Sequence, residues 1–107
     1  MEKSYWLSYD LGVGGNYDKL YGWLDDHNAV PCGDSVAFFK YQYDKNVNPD
    51  EKLKEDLLHS LELRAGNKLY LIRLNDQGQA MGNFIYGKRN AAPWIGYGTQ
   101  SQSGTDQ

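Results

Sequence analysis

From Ser4 to Leu11 the sequence SYWLSYDL alternates strictly, with Tyr5, Leu7, Tyr9 and Leu11 on one side and Trp6, Ser8 and Asp10 on the other. This is the period-two pattern of a strand whose two faces differ, and it decides which rings go to a core. The run breaks at once into Gly12-Val13-Gly14-Gly15. Asp10 therefore closes a strand beside a flexible loop, where a carboxylate can meet solvent and a ligand on a rigid support. A second reading stands beside it and is the commoner outcome: an Asp ahead of a Gly-rich turn bonds its own backbone.

The remaining punctuation divides the chain into further elements. Asn16 is a suitable N-cap, and Tyr17, Leu20, Tyr21 and Leu24 follow at helical spacing, predicting a helix over Tyr17 to His27. Ala29 to Cys32 reads as a short extended piece, and Pro31 assigns it to an edge or a bulge. In Ser35 to Tyr43 the set Ala37, Phe39, Tyr41 and Tyr43 is the more apolar face, the one expected against the helices. Pro49 opens a second helix with Asp50, Glu51 and Glu55 in its early turns. Leu53, Leu57, Leu58 and Leu61 form its stripe, and Gly66 is expected to end it after Ala65. Lys68 to Leu74 and Gly82 to Tyr86 make a hairpin across NDQGQA.

Strand, helix, strand, strand, helix, strand, strand is an α+β order. It is the ferredoxin-like βαββαβ arrangement with an additional C-terminal strand, an antiparallel sheet covered by two helices on one face. The other face needs a cover, and a second copy of the chain would supply one. Residues 1–98 are expected to form a single domain. Ala91 to Gly98 is expected to dock as extended chain, and the polar stretch from Thr99 to Gln107 to be a disordered tail.

Charge and cysteine content narrow the function classes. Net charge is −3, against a surface that tracks a phosphate backbone throughout, because such binding relies on clustered Lys and Arg. The charge is uneven: up to residue 66 seven basic side chains face twelve acidic ones, and beyond it four face two. That leaves room for a local basic face around Arg73, Lys88 and Arg89. The single cysteine, Cys32, cannot make an internal disulfide, and with no secretory start or long apolar run the expected location is cytoplasmic, away from membranes.

The segments YWLSYDL, DSVAFFKY and LYLIRL, set around two helices, resemble the small CRISPR-associated endoribonuclease, Cas two, and its VapD-type toxin relatives. Tyr9-Asp10 matches the Tyr-Asp that closes the first strand in those families, and Ser35-Val36 the Ser-Val that opens the third. The resemblance runs to about Tyr86. It implies a homodimer with facing sheets, paired aspartates near the axis, and metal-dependent cleavage of RNA or DNA. In the CRISPR setting it implies a noncatalytic scaffold instead. On this analogy Asp10 is the metal ligand for Mg2+ or Mn2+, and Ser8 and Ser35 orient the catalytic shell. Lys88 and Arg89 steer the nucleic-acid backbone. The chain departs from the families in its acidity, in lacking arginines after Asp10, and in its aromatic C-terminal extension. The competing class is a noncatalytic dimeric interaction or nucleic-acid-binding module on the same fold.

Other patterns carry less. Gly12-x-Gly14-Gly15 is not a dinucleotide fingerprint, because Tyr17 stands where that motif needs glycine. His27, Cys32 and His59 lack zinc spacing: His27 reads as a helix-end residue, His59 as a solvated one and Cys32 as a packed thiol. Lys40, Tyr41, Tyr43, Lys88, Arg89, Trp94 and Tyr97 mix cations with rings as single-strand binders do, yet Trp94 and Tyr97 more often cover an edge or a seam. Asp25-Asp26 and Asp50-Glu51 read as exposed helix charges.

Overall fold

A computed structural model describes residues 1–99; the expected tail, apart from Thr99, lies outside the described residues. The elements run β1 (Glu2–Asp10), α1 (Tyr17–Asp26), β2 (Val30–Pro31), β3 (Val36–Gln42), α2 (Pro49–Ser60), β4 (Lys68–Leu74) and β5 (Ala80–Tyr86). They build one five-stranded sheet in the order β2-β3-β1-β4-β5, antiparallel at every pairing. This is the ferredoxin-like α+β topology, with β5 added outside β4 and both helices on one face.

Alternation along β1 decides the layers. Tyr5, Leu7 and Tyr9 are buried under the helices with Ala37, Phe39 and Tyr41 of β3 and Leu69 and Leu71 of β4. From above, α1 contributes Leu20, Trp23 and Leu24, and α2 contributes Leu53 and Leu57. Each fully buried leucine in such a layer is worth about 1.5–3 kcal/mol relative to exposure. Trp23 takes the core place that helical spacing gave to Tyr21, which is half exposed. The Trp23 ring stacks on His27 and meets Phe39 edge-on, a fit that periodicity alone does not express.

Helix ends differ from expectation in instructive ways. Asn16 occupies the N-cap of α1 without capping it; its side chain donates to Glu62 at 3.0 Å instead. Asn48 caps α2, accepting from the Asp50 and Glu51 amides, with Pro49 at the first helical turn. That helix stops at Ser60 rather than Ala65, because Leu61 turns extended to bury its side chain. Gly66 still adopts a left-handed φ of 90°, but in the turn that leads to β4.

Three further expectations are corrected. Cys32 is exposed, not packed. Asp50 is half-buried and engaged from several sides. The segment after β5 does not dock as extended chain: it folds into successive turns, Ile95 to Ala92 and Tyr97 to Trp94, and presents Trp94, Ile95 and Tyr97 outward. Among the described residues no helix is long and apolar enough to cross a membrane.

Candidate functional site

The sheet face away from the helices has no cover among the described residues. Trp6 and Ser8 of β1, Phe38 of β3, Tyr70 and Ile72 of β4 and Phe84 of β5 lie on it, each half-buried. Trp6 and Phe38 are cross-strand partners with ring centroids 5.1 Å apart, and Tyr70 meets Phe84 edge-on at 4.9 Å. Gly82 makes room for that pair, since a Cβ there would stand 2.5 Å from the Tyr70 ring. The face is thus an aromatic plate with a polar end on either side, Glu2, Ser4, Lys40 and Gln42 at one and Asp10 at the other.

The Asp10 end is concave. Ser8, Asp10, Lys68, Tyr70, Phe84 and Arg89 line a shared concavity of about 200 Å3 together with Tyr9. Asp10 and Lys68 are opposite one another across β1 and β4. Arg89 reaches the same hollow from the segment following β5. An acid, two cations and a hydroxyl on one wall can receive a phosphate and hold a hydrated cation beside it.

The local fold explains why Asp10 is held there. Leu11 is fastened through its whole backbone: its N–H donates to the Tyr17 hydroxyl at 3.2 Å, and its carbonyl accepts from Asn67 Nδ2 at 3.1 Å. Its side chain is buried. Asn67, buried and polar, also accepts from the Arg64 amide at 2.7 Å, so it pins the approach to β4 against the end of β1. Asp10 itself is exposed, and its Oδ1 accepts from the Gly12 amide at 2.9 Å. The turn-forming bond expected for an Asp before glycines is therefore present. A carboxylate retains further lone pairs after accepting one such bond, and exposure leaves them to solvent.

The other expected site residues are not gathered at this corner. Ser35 is exposed, and it meets β1 through its carbonyl, which accepts from the Tyr9 amide at 3.0 Å. That places it opposite Tyr9, and by alternation on the helix side of the sheet, away from Asp10. Lys40 lies opposite Ser4, six residues along β1 from Asp10 or about 20 Å at the rise of a strand. Its ammonium stands 3.9 Å from Glu2. Lys88 is exposed beside Arg89 but does not line the hollow. Lys68 belongs to the corner and was not singled out by sequence; its register opposite Asp10 depends on a strand pairing remote in the chain.

A second cluster lies under the helices. Asp50, at the start of α2, accepts from Lys3 Nζ at 2.9 Å, from Arg73 Nε at 3.2 Å and from the Tyr5 hydroxyl in a short bond. Arg73 continues to Asn83 Oδ1. Arg73 is thus committed to the helix side and does not join Arg89 in a basic face. Partial burial alone would raise the Asp50 carboxyl. The bonds donated by Tyr5 and Lys3, with the charges of Lys3 and Arg73, outweigh it and hold the group below its ordinary value. The Tyr5 phenol is driven well above its usual range, first by burial and then by the Asp50 bond and charge. The Asp50 carboxylate takes three donors from two neighbouring strands, which makes the cluster a clamp between α2, β1 and β4.

Among the described residues no group of three or more His, Cys, Asp or Glu side chains is arranged to hold a metal ion. One chain therefore offers Asp10 as a single carboxylate. Mg2+ keeps several of its waters and commonly takes only one or two carboxylates with a substrate phosphate, so the donor set fits a hydrated ion and not an all-protein cage. Comparison of the chain with protein-family models, with curated proteins and with solved structures finds no match in any of the three.

Proposed function

We propose that the chain acts as a Cas-two- or VapD-like homodimer in which two uncovered sheet faces pack together and two Asp10 carboxylates share one cation for cleavage of RNA or DNA. The observation that carries this reading is the corner where Asp10 meets Ser8, Lys68 and Arg89 at the end of a half-buried aromatic face. Lys68 and Arg89 would receive the phosphate charge and Ser8 would donate to a phosphate oxygen. Asp10 from each protomer would hold Mg2+ or Mn2+, which supplies an activated water and neutralises charge on the reacting phosphate. Ser35, Lys40 and Lys88 take no part at this corner.

Labelled single-stranded RNA and double-stranded DNA, incubated with Mg2+ or Mn2+, are expected to be cut by the parent protein and spared by Asp10→Ala. Equal cutting by both proteins removes Asp10 from the chemistry. A second reading, a noncatalytic dimeric binding module, is favoured by the bond between Asp10 and the Gly12 amide, which uses part of the one carboxylate that the described residues bring to the corner. Retardation of nucleic acid without cleavage, weakened by Lys68→Ala and Arg89→Ala and by added salt, selects that reading.

A further inference from the structure

The outer edge of β3 is only partly covered. β2 pairs with it through Val30 opposite Phe38 and Pro31 opposite Ala37, and Cys32 adds a bond from its amide to the Val36 carbonyl at 2.7 Å; beyond Val30, toward Lys40, the pairing stops. Directly opposed residues of an antiparallel pair alternate between exchanging both backbone hydrogen bonds and exchanging none. Met1 and Tyr43 exchange both, each at 2.9 Å, so Tyr41 and Phe39 also bond inward to β1. The N–H and C=O groups of Lys40 and Gln42 consequently point out of the sheet. Asn28, which would continue β2 beside Lys40, instead takes a left-handed φ of 55° and gives its amide to Asp25.

Where β2 turns away, a cleft of about 660 Å3 follows that edge, with His27 and Asn28 at one end. Unpaired donors and acceptors along a strand edge are a template for an added strand. The walls determine what kind of strand. Among the described residues, Glu2, Asp26 and Asp56 face the cleft against the cation Lys40. Glu2 is already bonded by Gln42 and Asp56 by the Tyr41 hydroxyl, whereas Asp26 stands exposed at the end of α1. Side chains of an added strand alternate, one set opposite Tyr41 toward Asp26 and Asp56 on the helix side, the other beside Lys40 and Gln42 on the open side, where Lys40 disfavours a second cation and Val30 and Phe38 lie at one end.

We propose that this cleft binds an extended segment of a partner protein as an added strand on Lys40–Gln42, with Lys or Arg alternating with apolar residues. The site is separate from the Asp10 corner and does not depend on the nuclease reading. Three synthetic heptapeptides test it on the full chain by amide NMR and hydrogen exchange. They are an alternating Val-Lys sequence, an alternating Val-Glu sequence, and the Val-Lys sequence N-methylated at every second amide. The Val-Lys peptide is expected to bind and to slow exchange of the Lys40 and Gln42 amides by tenfold or more. The Val-Glu and N-methylated peptides are expected not to bind. The Asp26→Asn, Asp56→Asn double variant, which keeps an acceptor for Tyr41, is expected to weaken Val-Lys binding at least fivefold. The proposal is overturned by absence of binding at millimolar peptide, by equal binding of the N-methylated or acidic peptide, or by shifts centred elsewhere. Lys40 and Gln42 amides already protected in the free protein overturn it too, since a second copy would then occupy the edge.

Discussion

Asp50 shows what a single charged residue contributes when its partners come from distant parts of the chain. Replacing it with Ala strands the Tyr5 hydroxyl and leaves Lys3 and Arg73 facing each other without an anion. A loss of about 2 kcal/mol is expected, read as a lower urea midpoint at unchanged slope. The same residue sets an acid limb. Its folded carboxyl lies below the ordinary 3.8, so its contribution is complete above that value and drains away as pH falls through it toward the folded value. Asp50→Asn should flatten the fall in stability between pH 5 and pH 2, and an unchanged limb would assign acid unfolding to other carboxylates. At the alkaline end, burial first and the Asp56 carboxylate second push the Tyr41 phenol up to about 12, and Tyr5 and Tyr9 are raised as well. Absorbance titration should show these three of the nine tyrosines ionising late. Their phenols favour the folded chain below the ordinary value of 10, and that contribution disappears as pH rises through the raised ones. Little of this was legible in the sequence. Asp50 looks like any helix-start acid, and only the packing of β1 beside β4 brings Lys3 and Arg73 to it.

Elements were more legible than residues because their signals are local. The alternation of β1, the stripe of α2 and the bounds of β4 need only neighbours along the chain, and the structure reproduces them. What failed depends on tertiary fit: α2 stops early so that Leu61 reaches the core, Trp23 displaces Tyr21, and the aromatic C-terminal segment turns outward. Turn geometry supplies a test at this scale. Gly87 has a φ of 72°, and a Cβ added there would lie 2.1 Å from the Asn67 carbonyl oxygen, a backbone atom that cannot step aside. Gly87→Ala is expected to destabilise by about 2–4 kcal/mol and to displace Arg89 from the Asp10 corner. Gly82→Ala meets only the end of the Tyr70 side chain. It should cost about 1 kcal/mol while changing the near-ultraviolet dichroism of the Tyr70–Phe84 pair. Equal losses for the two variants would mean that the backbone near Asn67 yields as easily as a side chain.

For the molecule as a whole, the decisive surface is the aromatic face opposite the helices. If it is the seam of a dimer, light scattering should give twice the chain mass, and the unfolding midpoint should rise with protein concentration. Phe38→Glu, which puts a charge among Trp6 and its neighbours while leaving the helix-side core intact, is expected to yield a folded monomer. A parent protein that is monomeric at all concentrations would end the shared-Asp10 proposal while leaving each protomer's fold as described. The uncovered face was foreseeable, because two helices can shield only one side of a sheet. Which residues populate its Asp10 end was not, since the pairing of Asp10 with Lys68 joins segments far apart in sequence. The order of the strands has a consequence for biosynthesis. β1 emerges from the ribosome before either of the strands that flank it, so its apolar rings and backbone wait unpaired until β3 and then β4 have been made. A chain that stalls or is cut between α2 and Leu74 leaves the middle of the sheet as a raw edge. Such fragments should aggregate where the completed protein does not.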